Sequence, residues 1–251
     1  MTNDLGLAGK RVVVTGAAGG LGRAFALDFA AAGAEVLVAD IADCKDTVAQ
    51  VKAAGGTVFS GQLDVTSSQS CLALAQCAQR DMGGVDVLVN NAAMYGALER
   101  KPFEEIEEDV WDNVMAVNIK GVWQMSRAFA PLLRKGGGSI INIASATVFS
   151  GSPMWMHYVT SKGAVIAMSR VMAKELGPDG VRVNVIAPGF TLTDASLGQM
   201  ENAASYGVER AALKRNAETA DITGGALYLA SDMAGFTTGQ TLVIDGGKQF
   251  I

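Results

Sequence analysis

The chain has 251 residues, of which 49% are apolar and 18% are charged, with 30 glycines against 5 prolines. This composition is typical of one globular domain and excludes collagen-like and disordered chains. A chain of this length buries roughly 70–75% of its extended surface, so one core suffices without disulfides or a structural metal. The net charge of −5, with no basic run longer than two residues, argues against binding to nucleic-acid phosphates.

Cysteine and histidine usage narrows the chemistry further. The three cysteines are widely spaced and form no CxxC pair, which favours reduced thiols in a cytosol. His157 is the only histidine, with packing or an interface as its expected role, so a histidine-based metal site and a Ser-His-Asp triad are excluded. No window approaches the roughly 18 apolar residues of a membrane span, and residues 1–10 hold no apolar stretch of signal length. We expect a cytoplasmic protein without a metal.

Short β-branched segments alternate with longer Ala-rich segments along the chain. The seven candidate strands are Arg11–Thr15, Glu35–Asp40, Thr57–Gln62, Val85–Asn90, Ser139–Ala144, Val181–Ala187 and Thr241–Ile244. Candidate helices include Leu21–Ala32, Ser67–Met82, Glu107–Leu133, Met156–Gly177 and Thr219–Ser231. Several strands are apolar on both faces, as in a sheet covered on both sides. The pattern predicts an α/β fold with a doubly wound, seven-stranded parallel sheet of the Rossmann type.

No linker or internal repeat divides the chain, so residues 1–251 are predicted to form a single domain. The one irregular insertion is Thr191–Arg215, between the sixth strand and the last helix. Ligands of open α/β sheets bind beyond the carboxyl ends of the strands. Because the insertion follows such an end, we expect it to form a substrate-binding lid.

A glycine-rich turn follows the first strand and leads directly into a helix. Residues 15–22 read TGAAGGLG and contain Gly16, Gly20, Leu21 and Gly22. Glycines allow a tight turn and the close approach of a pyrophosphate, whose charge the amides of the helix N-terminus hold. The spacing Gly-x3-Gly-x-Gly differs from the GxGxxG of long-chain dehydrogenases, and a tight turn without a ligand is the alternative.

Acidic residues at the ends of the second and third strands favour a dinucleotide. Asp40 ends strand two, where its carboxylate can accept hydrogen bonds from both adenosine ribose hydroxyls. A 2′-phosphate would meet a like charge there, and no Arg or Lys lies in the turn or directly after Asp40, so we expect NAD rather than NADP. Asp64 and Val65 are candidates for contact with the adenine. The alternatives are a solvated strand-end acid for Asp40 and a helix N-cap for Asp64.

Tyr158 and Lys162 are four residues apart in a helical segment, so they project from one face. A phenol has a pKa of about 10, and an adjacent ammonium and a positively charged nicotinamide would both lower it. A surface pair on a helix is the alternative. Ser145, at the end of strand five, is expected to face the same cleft. Asn118 interrupts the apolar face of a long helix, where a buried, water-holding role is expected.

These motifs, in this order and at this spacing, make the whole chain resemble the short-chain dehydrogenase/reductase family. The resemblance is carried by Thr15–Gly22, Asp64-Val65, Asn90-Asn91-Ala92, Asn118, Ser145, Tyr158–Lys162, Pro188-Gly189 and Asp245-Gly246-Gly247. It implies that Tyr158 is the general acid/base and that Ser145 hydrogen-bonds the substrate oxygen. It further implies that Lys162 lowers the tyrosine pKa and binds the nicotinamide ribose, and that Asn118 holds a relay water.

The resemblance also concerns the cofactor pocket and the assembly. It places Asn91 on the ribose side of the cofactor and the turn of Pro188, Gly189, Thr191 and Thr193 over the carboxamide. It implies a homotetramer. Thr191 stands where the family commonly has valine or isoleucine, and Ala93 stands where it commonly has glycine, which alters the expected shape of the pocket.

Residues expected near the substrate are mostly apolar, which suits an irregular hydrophobic ligand. They are Met94, Tyr95, Thr147, Val148, Pro153, Met154, Trp155, Phe190, Leu192, Leu197 and Met200, together with Ser145. Packing against the lid or a neighbouring subunit is the alternative for half of them. Because this set contains no Arg or Lys, we expect a neutral secondary alcohol and its ketone, cyclic or aromatic.

The function expected from the sequence is an NAD-dependent dehydrogenase that acts on such a small-molecule alcohol. One alternative is an NADPH-dependent reductase of 3-oxoacyl thioesters or other carbonyls. A second alternative, from a different class, is a non-catalytic NAD-binding sensor, because a fold does not determine a function.

Overall fold

The computed structural model describes residues 5–197 and 203–251. Seven parallel strands form one sheet in the order β3-β2-β1-β4-β5-β6-β7. The strands are β1 Arg11–Thr15, β2 Glu35–Asp40, β3 Thr57–Gln62, β4 Val87–Asn90, β5 Gly138–Ile143, β6 Val181–Pro188 and β7 Thr241–Ile244. The predicted α/β fold with a doubly wound parallel sheet is therefore confirmed.

Strand β1 shows why this sequence makes a sheet covered on both faces. Val12 and Val14 pack into one buried cluster, whereas Val13 packs into another. Successive residues of a strand point to opposite faces, so an unbroken apolar run supplies two cores at once. Val13 pairs with Leu37 of β2 and with Leu88 of β4, which places β1 in the middle of the sheet.

Helices cover both faces of the sheet. They are α1 Gly20–Ala31, α2 Lys45–Ala53, α3 Ser68–Met82, α4 Glu108–Met115, α5 Gly121–Leu133, α6 Thr147–Ser150, α7 Met156–Leu176, α8 Asp194–Leu197, α9 Ala203–Arg210 and α10 Thr219–Ala230. Within residues 5–197 and 203–251, no helix has the length and apolar character needed to span a membrane.

The predicted helix Glu107–Leu133 is not continuous. Its middle, Ala116–Lys120, is a π-helical turn between α4 and α5. A π turn widens the helix locally, and such turns occur frequently at functional sites. The periodicity of apolar residues could not show this interruption, because the segments on either side keep the α-helical spacing.

The order of strands reverses between β1 and β4, which is the position where open α/β sheets bind ligands. Helices α8 and α9 belong to the predicted lid 191–215 and follow β6 at this edge. Met200, expected to contribute to the substrate pocket, lies outside the described residues.

Candidate active site

A cavity of about 590 Å³ opens at the carboxyl ends of the strands. Most residues singled out from the sequence line it. They are Gly16, Gly20, Leu21, Gly22, Asp40, Asp64, Val65, Asn91, Tyr95, Ser145, Thr147, Trp155, Tyr158, Lys162, Pro188, Gly189, Phe190, Thr191 and Thr193. Met94 and Asn118 lie behind the lining: Met94 packs against the buried cluster that contains Tyr158, and Asn118 is fully buried.

The glycine-rich turn is fastened to the segment that follows β4. The Thr15 hydroxyl accepts hydrogen bonds from the backbone amides of Asn91 and Ala92, both at 3.0 Å. The side-chain amide of Asn91 donates to the carbonyls of Thr15 and Gly16, at 3.0 and 3.1 Å. The resemblance places Asn91 beside the cofactor ribose; in the structure Asn91 lines the cavity, and its side-chain nitrogen holds the turn in place.

The glycines of this turn have distinct roles. Gly16 has a φ of +66°, which favours glycine, and a Cβ on Gly22 would overlap the Gly16 carbonyl oxygen. Gly19 and Gly20 line the cavity, and a Cβ on either would meet no other atom within 4 Å. Helix α1 begins here with no side-chain cap, so its first amides remain available to a ligand. The turn therefore fits a dinucleotide pyrophosphate, because it offers amide donors and no side chain fills the space above them.

Asp40 stands at the end of β2 with its two oxygens partly engaged. One oxygen accepts from the amide of Ala18 at 2.9 Å and the other from the amide of Ala42 at 3.0 Å. An ionised carboxyl offers about four acceptor positions, so both oxygens keep room for ribose hydroxyls. The guanidinium of Arg23 donates to the carbonyl of Ala18 and to the hydroxyl of Thr47, so it is held by neutral groups.

The N-cap alternative for Asp64 is wrong. One carboxylate oxygen of Asp64 accepts from the amide and the hydroxyl of Thr66, at 2.8 and 2.6 Å, and closes a local turn. The N-cap of α3 is Ser67, whose hydroxyl accepts from the amide of Ser70. Asp64 and Val65 both line the cavity, where they remain candidates for adenine contact.

Tyr158 lies near the start of α7 and is 6% exposed. Its ring packs against Trp155 and Tyr95, with centroid separations of 4.7 and 5.5 Å. Burial raises the pKa of Tyr158, the neighbouring Tyr95 raises it further, and a hydrogen bond with Ser145 lowers it. The chain by itself therefore keeps this phenol protonated and ready to donate.

Lys162 is buried one turn further along α7. Its ammonium donates to the carbonyl of Ile143 at 2.8 Å and lies 5.7 Å from the centroid of the Tyr158 ring. Burial lowers the pKa of Lys162 to about 8. In the chain by itself the Tyr158 pKa is raised, because desolvation of the phenol outweighs the hydrogen bond with Ser145.

Ser145 follows β5 and is oriented by Thr147. The Thr147 hydroxyl donates to the Ser145 oxygen at 2.9 Å. Because that oxygen already accepts a hydrogen bond from Thr147, the Ser145 hydroxyl hydrogen is left to donate toward the Tyr158 oxygen or a substrate oxygen.

Asn118 lies in the π turn and joins three segments. Its carbonyl oxygen accepts from the amide of Met94 at 2.7 Å, and its amide nitrogen donates to the Met94 carbonyl and the Ser161 hydroxyl, at 3.2 and 3.1 Å. The Ser161 hydroxyl donates in turn to the Tyr158 carbonyl at 2.7 Å. The Asn118 side chain is thus engaged by protein groups, so a relay water would have to bind the main chain of the turn.

Among the lining residues that sequence reasoning missed, three carry a charge or an aromatic ring. Arg100, Tyr206 and Lys248 all line the cavity. The expectation that the substrate region holds no Arg or Lys is therefore wrong. The signal that could have identified Arg100 and Lys248 is their place in the segments after β4 and β7, at the edge of the sheet where ligands bind.

Two further sequence observations have simple outcomes. Ala93 lines the cavity with ordinary backbone geometry, because Met154 is the one non-glycine residue with a positive φ in the described part of the chain. The extra methyl group thus changes the cavity wall without strain.

His157 is 1% exposed, which agrees with a packing role.

Comparisons with known proteins agree with this geometry. A family model described as enoyl-(acyl carrier protein) reductase matches residues 16–249. The chain is 35% identical to a 3-oxoacyl-(acyl-carrier-protein) reductase of Staphylococcus epidermidis, covering 95% of this chain and 98% of that protein. It is also 35% identical to a 2-dehydro-3-deoxy-D-gluconate 5-dehydrogenase of Dickeya dadantii, covering 98% and 97%. A crystal structure of a short-chain alcohol dehydrogenase from Sinorhizobium meliloti superposes with a TM-score of 0.89 at 32% identity, covering 96% of each chain.

The open space above Gly19 gives a first prediction. Gly19→Ala should leave the melting temperature nearly unchanged, because Gly19 is extended and its Cβ would meet no protein atom. It should raise the Kd for NADH at least about 10-fold, because the methyl group occupies the space above the α1 amides. Fluorescence titration measures this change. Gly224→Ala in α10 is the control, since its Cβ also meets nothing and it lies away from the cavity; equal affinities of the two variants would contradict the prediction.

Burial of Lys162 gives a second prediction. A folded-state pKa near 8, below the usual value of 10.5, means that the protonated amine opposes folding, and that stability rises with pH between about 8 and 10.5. Lys162→Met should therefore stabilise the ligand-free protein at pH 7 by about 1–3 kcal/mol and remove that rise. Denaturant unfolding at pH 7 to 10 measures both effects. Lys174→Met, at an exposed position of α7, should do neither; loss of stability in Lys162→Met would contradict the prediction.

Proposed function

This chain belongs to the short-chain dehydrogenase/reductase family of oxidoreductases, and we propose that it interconverts a secondary alcohol and its ketone with NAD as the redox partner. The observation that carries the proposal is the position of Asp40 and Tyr158 in one cavity. Asp40 suits a dinucleotide with free ribose hydroxyls, and Tyr158 is a buried proton donor beside Ser145. The nicotinamide ring accepts or gives the hydride when it is bound.

The side chains divide the proton chemistry among them. Oxidation requires the phenolate form of Tyr158, which takes the proton of the substrate hydroxyl as the substrate carbon gives up a hydride. In reduction, Tyr158 returns the proton to the forming alkoxide, and the Ser145 hydroxyl hydrogen-bonds the same oxygen. The Lys162 ammonium donates one hydrogen bond to the Ile143 carbonyl, and its remaining N–H groups can donate to the ribose. Asn118 fixes the backbone of Met94 and the hydroxyl of Ser161 behind this group.

The preference for NAD over NADP rests on charge. The described lining contains the carboxylates of Asp40 and Asp64 near the ends of β2 and β3, and its cations lie in segments after β4, β5 and β7. A 2′-phosphate placed at Asp40 would meet a like charge. Arg23 is not free to offset it, because its guanidinium already donates to the Ala18 carbonyl and the Thr47 hydroxyl.

A second candidate function is the reduction of 3-oxoacyl thioesters with NADPH. It is supported by the relatives that are named 3-oxoacyl-(acyl-carrier-protein) reductases. The non-catalytic sensor is not retained, because the family is an enzyme family and Asn118, Ser145, Tyr158 and Lys162 are all present. A neutral substrate, a homotetramer and a cytoplasmic location stay predictions from the sequence, and the neutral substrate has lost its premise because Arg100 and Lys248 line the cavity.

The proposal is tested by turnover with matched cofactors. The purified protein should form NADH with members of a panel of secondary alcohols and should show little reduction of acetoacetyl thioesters by NADPH. The reverse pattern would establish the thioester reductase instead. Absence of both activities, in a protein shown to bind NADH, would contradict both candidates.

Removal of the Tyr158 hydroxyl tests its role as proton donor. Tyr158→Phe should lower kcat by roughly 10²–10⁴-fold, the usual range for a general acid/base, and should change NADH affinity less than 3-fold, because the ring still packs against Trp155. Steady-state kinetics and NADH titration measure the two effects. Tyr228→Phe, on the partly exposed outer face of α10, is the matched control. Retention of more than a tenth of the activity by Tyr158→Phe would rule out the assigned role.

Neutralising Asp40 tests cofactor choice. Asp40→Asn keeps the size of the side chain and removes the charge, so kcat/KM for NADPH relative to NADH should rise about 10- to 100-fold. The ratio is measured with one substrate and both cofactors. Asp43→Asn removes an exposed charge three residues away and should leave the ratio unchanged. An equal change of this ratio in the two variants would mean that Asp40 does not determine the preference for a free 2′-hydroxyl over a 2′-phosphate.

A further inference from the structure

Besides Lys162, two cations line the cavity without an ion-pair partner among the described residues: Arg100, after β4, and Lys248, after β7. They come from segments far apart in the sequence and meet the same cavity. The carboxylates of the described lining, Asp40 and Asp64, stand at the ends of β2 and after β3, on the other half of the sheet. The β4–β7 half of the described cavity lining therefore carries positive charge in a chain whose net charge is −5.

Arg100 is held in place while its charge is left unmatched. Its guanidinium carbon lies 4.3 Å from the centroid of the Trp155 ring, and its Nε is buried without a hydrogen-bond partner among the described residues. The neighbouring Lys101 instead forms ion pairs with Glu99 and Glu107, at 3.4 and 2.6 Å. A buried donor without a partner costs free energy, so its retention beside an acid-rich segment indicates a ligand that supplies the acceptor.

Trp155 places this donor within reach of the reacting group. The Trp155 ring lies between Arg100 and Tyr158, 4.3 Å from the guanidinium carbon and 4.7 Å from the tyrosine ring centroid. The indole nitrogen of Trp155 is also buried without a partner among the residues described. Because Trp155 contacts both groups and all three residues line the cavity, a small molecule that reaches the Tyr158 oxygen also comes near Arg100.

Lys248 borders the same region from the C-terminal segment. Its ammonium lies 5.7 Å from the ring centroid of Tyr206, and its backbone amide donates to Asp245 at 3.1 Å. Tyr206 packs on Phe190 with a centroid separation of 5.1 Å, so the lysine and the lid share one aromatic wall. The lysine adds a second positive charge to the wall of the cavity that Arg100 lines.

We propose that the substrate carries a carboxylate, which Arg100 binds with the support of Lys248, so that the reacting pair is a hydroxy acid and an oxo acid. This inference rests on the proposed alcohol–ketone chemistry at Tyr158. A planar guanidinium matches a carboxylate with two parallel hydrogen bonds, and such charge-assisted bonds are the stronger kind. The carboxylate binds at the Arg100 side of the cavity, away from the reacting carbon, and takes no part in the hydride or proton transfer.

Binding of unreactive probes tests this inference independently of turnover. In the presence of NADH, cyclohexanecarboxylate should bind the protein at least about 10-fold more tightly than cyclohexanecarboxamide, as measured by calorimetry. Arg100→Gln should abolish the difference, and Arg100→Lys should restore part of it. Lys101→Gln, on the same loop with its charge outside the cavity, should keep the full difference. Equal binding of the two probes, binding of neither, or an unchanged preference in Arg100→Gln would overturn the inference.

Turnover measurements then distinguish carboxylate recognition from the proposed alcohol–ketone chemistry. With 3-oxocyclohexanecarboxylate and its carboxamide, the wild-type protein should favour the carboxylate in kcat/KM by about 10- to 100-fold, and Arg100→Gln should bring this ratio close to one. A protein that reduces both compounds equally has the proposed chemistry without carboxylate recognition. A protein that binds the carboxylate probe selectively yet reduces neither compound has the recognition without the proposed chemistry. Preference for an acyl thioester over both would assign the two cations to a phosphate-bearing carrier and overturn the proposal.

Discussion

The burial of a phenol and an ammonium on the same face of α7 is the constraint on which the site depends. Neither group has a carboxylate beside it among the described residues, and desolvation moves both toward the neutral form: the pKa of Tyr158 rises and that of Lys162 falls to about 8. A further positive charge in the cavity would therefore readily change the protonation of this pair. This makes the protonation of Tyr158 sensitive to what binds in the cavity.

The rest of the cavity is arranged around that pair by the order of the strands. Segments after β1, β2 and β3 bring amides and carboxylates, which suit phosphate and ribose groups, whereas segments after β4, β5 and β7 bring the reacting side chains and two cations. The Thr15 and Asn91 hydrogen bonds join the two halves where the strand order reverses. Because both halves are anchored to one rigid sheet, the distance between cofactor and substrate sites is set by strand spacing more than by loop conformation.

The sequence predicted the sheet and most of the cavity lining, because these depend on local patterns. The β-branched runs predicted five strand beginnings without error, and the glycines of residues 16–22 mark a turn in which Gly16 and Gly22 leave no room for a larger side chain. The sequence did not predict the π turn at Ala116–Lys120, since the apolar spacing on each side is that of an ordinary α-helix. The sequence did not predict the lowered pKa of Lys162 either. This pKa depends on how far folding removes the side chain from solvent, and the neighbouring residues in the sequence do not show that.

Arg100 shows the other limit of sequence reasoning. It lies in a segment rich in acidic residues, but Glu99 and Glu107 form ion pairs with the neighbouring Lys101, and Arg100 packs on Trp155. Choices between adjacent cations depend on loop geometry that a residue pattern does not contain. The same limit applies to Lys248, which reaches the cavity only because the chain folds back after β7.

The widened turn at Asn118 makes the distance along the chain between α4 and α5 a fixed quantity. A π turn accommodates one more residue than an α-helical turn over nearly the same rotation, so deletion of a single residue within Ala116–Lys120 would restore α-helical spacing and remove the widened turn. The hydrogen bonds that Asn118 makes from this turn to Ser161 and to the Met94 backbone would then be lost. Homologues that diverge freely in the outer loops should therefore show neither insertions nor deletions here, since the register of one long spiral is coupled to the shape of a pocket at its side.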